Sequence, residues 1–530
     1  MNQKIEKMNK WREITFFFLL VFSVISFPFS EALVSINAGL LLFQALILSS
    51  WKHPSVKNRS WMILLFPLSI FAVYFAGTFF TLDFNFALYE LNKNLFWIII
   101  PLAVYLSPKL SEKKINILLL IFVASVILAS FISTGKLLMH SYTRILEFRS
   151  TSSVSHIRFS LQVVLSIILL SWFLMQENFL KSTSQRFLFL IAMIWLTCFL
   201  FLLKSLLGIL AFLGTLMFAL LFFVRRINIF KWRALLVTAF VLVLLIPVIF
   251  TGRVIYDFFD FKEVDPDTVE YFSPSGNKYH HDFEDKTREN GYLVYTYICD
   301  EELRREWNKL SKKDYDELLN GFPLSITLIR YLTSMGVRKD SAGVSVLTAG
   351  DVALIEDGIT NCNFKNSYFS LYPRIYETIW EVDNYIRTGD PNNKSLAQRI
   401  EFVRASALLI KKNPLFGIGT GNWILKYNEV YDEMQSLLMD EKRGPSHNQY
   451  LNYMVKFGVT GLIWILFALL YPFFKTGNRS HYIFILFLIS FAFANLGDAN
   501  METHMGLSFF VFFYSLFLWN STEEMKGSIQ

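Results

Sequence analysis

The chain has 530 residues, of which 54% are hydrophobic, 17% aromatic and only 18% charged. Soluble domains carry about 25% charged residues, so the composition excludes an ordinary cytosolic globular protein. The formal charge of +7 resides mostly in short loops between apolar runs, which is not a nucleic-acid signature, and three cysteines without a C-x-x-C pair indicate neither a zinc site nor a disulfide framework.

In chain order, apolar stretches of about membrane-spanning length are predicted near 14–29, 32–50, 61–80, 95–107, 115–135, 158–175, 187–203, 205–224 and 233–250. Three more follow near 449–474, 482–496 and 505–519, for about twelve spans. No small-residue cleavage site follows the first run, so it is expected to be a retained helix. The fold class expected is an all-α polytopic membrane protein. Alternate loops are rich in Lys and Arg: Lys4, Lys7, Lys10 and Arg12; Lys52, Lys57 and Arg59; Lys109, Lys113 and Lys114; Lys181 and Arg186; Arg225, Arg226, Lys231 and Arg233; Lys475 and Arg479. The positive-inside rule makes this set cytoplasmic, with both termini. The expected division is 1–250 for spans one to nine, 251–446 for a hydrophilic domain on the outer side, and 447–530 for spans ten to twelve.

The hydrophilic stretch reads as mostly helical, with apolar residues at helical spacing in 300–322, 366–386 and 395–413 and a strand-like piece at 291–298. Ser311 followed by Asp314 resembles a helix start. His280, His281, Asp282, Glu284 and Asp285 can hold a metal or form a solvated loop, and the loop is the better reading. Cys299 and Cys362 share a compartment that permits a disulfide. No internal repeat stands out, which argues against a transporter.

Several basic residues break the charge rule by falling on the outer side: Lys136, Arg144, Arg149 and Arg158, then Lys204, Arg253, Arg399 and Arg404. Snorkelling toward interface phosphates accounts for one or two such residues. A cluster suits an anionic ligand, especially a diphosphate, because the planar guanidinium fork holds two phosphate oxygens. Arg158 begins an apolar span, where an unpaired charge is expensive and calls for a partner. Arg399 and Arg404 are five residues apart, about 140° around a helix, so they do not face one point. His447 stands where a polar turn enters a span, either as an interfacial side chain or as a functional one. Asp498, Glu502 and His504 in the last outer turn can orient a sugar or cap helices, with capping preferred.

The segments QRIEFVRASALLIKKNPLFGIGTGNW (398–423) and SHNQYLNYMVKFGVTGLIWIL (446–466) resemble the O-antigen ligase and polymerase superfamily. Arg399 takes the position of its leading Arg. Asn413, Pro414 and Leu415 with Gly417, Gly419 and Gly421 supply its glycine turn, and ten residues separate His447 from Gly458 as in the ligases. The chain departs from the family's Ser-Arg-x-Gly at Ser205-Leu206-Leu207-Gly208, where Lys204 can substitute as a point charge, and Val403 replaces a common aromatic.

The resemblance implies a GT-C-like helical fold and an inverting, metal-independent glycosyltransferase without a cofactor. Its donor would be a glycan on undecaprenyl diphosphate and its acceptor lipid A core or another glycan. The active site would face the periplasm from the bacterial inner membrane, with the periplasmic domain contributing part of it. His447 would accept the acceptor's proton, because histidine is the side chain that changes charge nearest neutrality. Arg399, Arg158, Lys204, Arg404 and Arg253 would bind the diphosphate, and Pro414 with the glycines would form a structural turn, with phosphate contact by its amides as the lesser possibility. Ligation to lipid A core is the leading activity, and polymerase, protein O-oligosaccharyltransferase and, remotely, lipid-glycan transporter are the alternatives.

Overall fold

The computed structural model describes residues 2–57, 59–140, 151–176, 179–224, 230–319, 321–365, 370–476 and 481–520. The chain is mostly helical and divides into two compact units, one of residues 1–141, 146–228 and 398–530 and one of 142–145 and 229–397.

The first unit begins with α1 (Asn2–Ser26), α2 (Glu31–Ile47), the single turn α3 (Pro54–Lys57), α4 (Trp61–Gly77), α5 (Phe84–Asn94) and α6 (Phe96–Leu106). It continues with α7 (Glu112–His140), α8 (His156–Met175), α9 (Thr183–Leu202) and α10 (Leu206–Val224). The second unit holds α11 (Phe230–Phe259), α12 (Asp300–Leu310), α13 (Leu324–Ser334), α14 (Ser341–Ser345), α15 (Ala349–Glu356) and α16 (Tyr372–Thr388). The chain then enters α17 (Ser395–Lys412), α18 (Trp423–Glu433), α19 (Gln449–Lys475), α20 (Tyr482–Gly497) and α21 (His504–Asn520), all but the first residues of α17 in the first unit.

Each of the twelve predicted apolar stretches forms a helix. Among the described residues, five helical stretches are long and apolar enough to cross a membrane by themselves: Trp61–Phe80, Glu112–Met139, His156–Met175, Thr183–Leu202 and Gln449–Lys475. The stretch at 95–107 yields only α6, 11 residues, about 16 Å of helix. The amphipathic α5 runs almost directly into it and was not anticipated.

α21 lies at the heart of the first unit, with every residue from Met505 to Asn520 buried. Its phenylalanines meet Phe27, Phe122 and Phe491 edge-on and Phe487 both edge-on and stacked, geometries that the ring quadrupole favours when the stack is offset. α10 packs on α20, α4 on α19, and α6 on α21. Two of the basic loop residues also close helix ends. Arg12 Nε donates to the Leu48 carbonyl (2.7 Å), and Arg59 donates to the carbonyls of Val104, Tyr105 and Ser107. A cation at a helix C-terminus satisfies orphan carbonyls and opposes the macrodipole.

The second unit has its own core around Leu303, Trp307, Leu324, Leu328, Tyr331 and Leu332, with two small hairpins, β1 (Arg288–Glu289) with β2 (Tyr292–Leu293) and β3 (Leu318–Leu319) with β4 (Phe322–Pro323). Several expectations are corrected here. The helix predicted over 300–322 stops at Leu310, and Ser311 caps its end rather than starting a helix. The Ser311 hydroxyl instead donates to Glu356 (2.5 Å). Of 291–298 only Tyr292–Leu293 pairs as strand, apart from isolated bridges from Ile298 to His280 and Lys339. Cys299 and Cys362 are free thiols, not a disulfide; the Cys362 thiol donates to the Ser334 carbonyl (3.4 Å). By packing, the ninth apolar helix groups with the second unit and 398–446 with the first.

Candidate active site

His447 sits one residue before the N-cap of α19. The Asn448 side chain accepts from Leu451 N (3.0 Å) and donates to the Leu496 carbonyl (2.8 Å), which ties the start of α19 to the end of α20. That leaves the His447 ring outside the helix, 45% exposed, with Nδ1 donating to Asp498 Oδ1 at 3.0 Å and one face toward the Phe402 ring. Asp498 follows the last residue of α20 and is 5% exposed. Its other oxygen forms an ion pair with Arg158 at 2.8 Å, and Arg158 Nε also donates to Thr503 Oγ1 (3.2 Å). Burial raises the Asp498 pKa, but the hydrogen bond from His447 and the Arg158 charge outweigh it and hold the carboxyl below its ordinary value. Arg399, on the first turns of α17, donates to the carbonyl of Gly497 (3.3 Å).

Four predicted or weighed residues, far apart in the chain, thus meet at one turn. Arg158 and Arg399 both reach Gly497–Asp498, and His447 rests on the same carboxylate. The charge at the head of α8 has a protein partner, Asp498. That role was weighed in the sequence only as sugar orientation or capping.

The other predicted residues stand differently. Lys204 occupies the turn between α9 and α10 with a left-handed φ of 49°. Ser205 next to it donates to Ser160 (3.2 Å) on the first turns of α8, the helix that carries Arg158. Arg404 is 58% exposed and pairs with Glu401 (2.6 Å), whose other oxygen accepts from Ser436. Arg253 belongs to the second unit, is 81% exposed and lies 4.0 Å from Asp257. Lys136 donates to the Thr151 carbonyl (3.4 Å); Arg144 and Arg149 lie outside the described residues.

The glycine turn has a backbone explanation. α19 is broken at Gly458, where φ is 65° and ψ −172°. A continuous helix would bond the amides of 459 and 460 to the carbonyls of 455 and 456. Instead, Val459 N donates to Pro414 O (2.8 Å) and Thr460 N to Leu415 O (3.3 Å), while Val455 O accepts from Ile418 N and Lys456 O from Gly419 N, both at 2.9 Å. The turn replaces the bonds that the break removes. A Cβ on Gly417 would stand 2.5 Å from Lys456 C and Phe457 N, so only glycine permits this approach. Gly421 packs as tightly on Thr81 and Asp83 at the start of α5. The amides of 417–420 all donate to protein carbonyls.

Sequence reading passed over Glu90, Lys93 and Lys456 and weighed Glu502 only for sugar orientation or capping; the four charges lie buried together in this unit. The available signal was Lys456, set inside an apolar span where a lone cation is costly. Among the described residues no group of three His, Cys, Asp or Glu side chains is placed to hold a metal.

A family model described as O-antigen ligase matches residues 322–466. The match takes in Arg399, the glycine turn, His447 and Gly458, and begins before the motifs, at Phe322. No curated protein matches the chain. Through that region the chain resembles the O-antigen ligase family, whose members are in general glycosyltransferase-like enzymes of ligase and polymerase type.

Proposed function

We propose that the protein transfers a glycan from undecaprenyl diphosphate to an acceptor hydroxyl, with ligation to lipid A core as the leading activity. The observation that carries the proposal is the His447–Asp498 contact of 3.0 Å, with Arg158 and Arg399 at the same turn. A carboxylate on Nδ1–H fixes the ring's tautomer and leaves Nε2 with its lone pair. Nε2 then takes the proton of the acceptor hydroxyl as its oxygen attacks the anomeric carbon. The bond to the lipid diphosphate breaks on the opposite face, and direct displacement inverts the centre. Asp498 stabilises the imidazolium so formed, and Arg158 holds Asp498 ionised and in place. Arg399, with Lys204 and Arg404 as further cations, is proposed to receive the diphosphate, whose charge grows in the transition state. The site would face the periplasm from the inner membrane, with both termini cytoplasmic and the long apolar helices as spans.

The test is transfer from a lipid-linked glycan by the full-length protein in lipid nanodiscs. His447→Ala is expected to abolish turnover and Arg399→Ala to reduce it strongly, both with normal expression. Wild-type turnover in both variants removes the assignment. Deletion in cells separates the acceptors: loss of surface polysaccharide with normal chain lengths left on the carrier supports ligation, whereas core capped by a single repeat indicates a polymerase.

A further inference from the structure

Glu90 and Lys93 stand one turn apart on α5, Lys456 lies on α19, and Glu502 closes the short turn before α21. Lys93 Nζ is 2.5 Å from Glu90 and 3.1 Å from Glu502, and Lys456 Nζ is 2.7 Å from Glu90 and 2.8 Å from Glu502. The four charges alternate in a closed, neutral ring. Glu90, Lys93 and Lys456 are 2%, 5% and 6% exposed, and the Glu502 side chain 11%. The second oxygen of Glu502 accepts from Tyr74 OH (3.2 Å) and Gln449 Nε2 (3.4 Å), and Gln449 Oε1 accepts from Met501 N (2.8 Å).

Removing four ions from water costs several kcal/mol each, and apolar side chains of similar size would often pack as well or better. Ion pairs supply direction, which apolar packing lacks. Here the direction concerns one turn. Glu502 is four residues after Asp498, Gln449 is two after His447, and Lys456 carries the carbonyl that receives the Gly419 amide. The ring therefore joins the piece of chain bearing Asp498 to the helix bearing His447, and braces both against α5.

We infer that the Glu90–Lys93–Glu502–Lys456 ring is a positioning device that holds the 498–503 turn so that Asp498 meets His447 before any substrate arrives. Its catalytic meaning rests on the proposed glycosyl transfer, but the positioning itself does not. Glu502 is thus a positioning residue that acts through Asp498.

The experiment is nitrogen-15 NMR of the histidine rings in the full-length protein in nanodiscs. The chain has eight histidines, and the His447 resonance is the one that disappears in His447→Ala. In Glu502→Gln the Nδ1 signal of His447 is expected to move toward that of a free imidazole. In Glu502→Gln with Lys93→Met the ring charge balances again, so thermal stability recovers while the His447 signal stays displaced. Should the single variant fail to assemble, the balanced double variant carries the same reading. An unmoved signal in Glu502→Gln, or one restored in the double variant, overturns the inference, since the ring would then matter only for charge balance. In the transfer assay Glu502→Gln should lower kcat by about ten- to a hundredfold, the scale of a small misplacement, with the donor KM unchanged. A loss confined to KM also overturns it. Full transfer by His447→Ala would instead remove the catalytic reading and leave the NMR result to decide the positioning.

Discussion

Gly458→Ala should uncouple the break in α19 from the glycine turn. Gly458 has φ 65° and ψ −172°, a region essentially reserved for glycine and costing other residues about 1–3 kcal/mol. An added Cβ would also overlap Leu415 C and O and stand 2.5 Å from Phe416 N. Those are backbone atoms, which cannot swing aside as a side chain can. Moving them strains the four backbone hydrogen bonds that link 414–419 to 455–460, each worth about 1 kcal/mol net. Strain and lost bonds together come to about 5 kcal/mol, comparable to the whole stability of a small domain. Thermal unfolding in detergent measures this, with Gly39→Ala as the control, because nothing lies within 4 Å of a Cβ there. A Gly458→Ala protein that unfolds at the wild-type temperature and retains full transfer would refute the account of the turn.

Asp498→Asn removes the charge that pairs with Arg158 and, in the proposed mechanism, supports the imidazolium; kcat is predicted to fall by about two to four orders of magnitude, the usual worth of a general base, and an unchanged kcat would contradict the dyad. Arg399→Ala should raise the donor KM and lower kcat. Arg404→Ala should cost much less, since the Arg404 side chain is 58% exposed and its buried partner Glu401 keeps the hydrogen bond from Ser436; equal losses in parallel kinetics would count against Arg399 as the principal cation. In the second unit, burial lowers the Lys339 pKa to about 7. From about pH 7 to about 10.4 the unfolded chain keeps a proton that the folded chain has shed, so this group makes stability rise with pH across that window. Below about pH 7 both states are protonated and the full penalty, roughly 4–5 kcal/mol, applies. Lys339→Met should therefore stabilise the protein most at neutral and lower pH, and a denaturation series showing no pH-dependent difference from wild type would refute this.

Much of the architecture was open to inspection in the linear chain. Apolar run length and alternating loop charge depend on local composition, because lipid demands that each span satisfy its own backbone. The twelve helices and the Arg399, glycine-turn and His447 motifs follow from that and from spacing. The helix expected over 300–322 failed because amphipathic spacing persists past the point where Ser311 turns the chain. Cys299 and Cys362 showed the limit of compartment as evidence, since pairing is a matter of distance and direction.

Only the tertiary structure decided which charges answer one another. Residues 158, 399, 447 and 498 share no local period, and their meeting depends on where α8, α17, α19 and α20 pack. The same holds for the ring of Glu90, Lys93, Lys456 and Glu502, where each charge read singly is an expense and only the closed set explains it. The ten-residue interval between His447 and Gly458 was visible as a pattern, but its cause was not. A helix can be broken there only because a second segment, more than thirty residues earlier in the chain, brings matching donors and acceptors to the break.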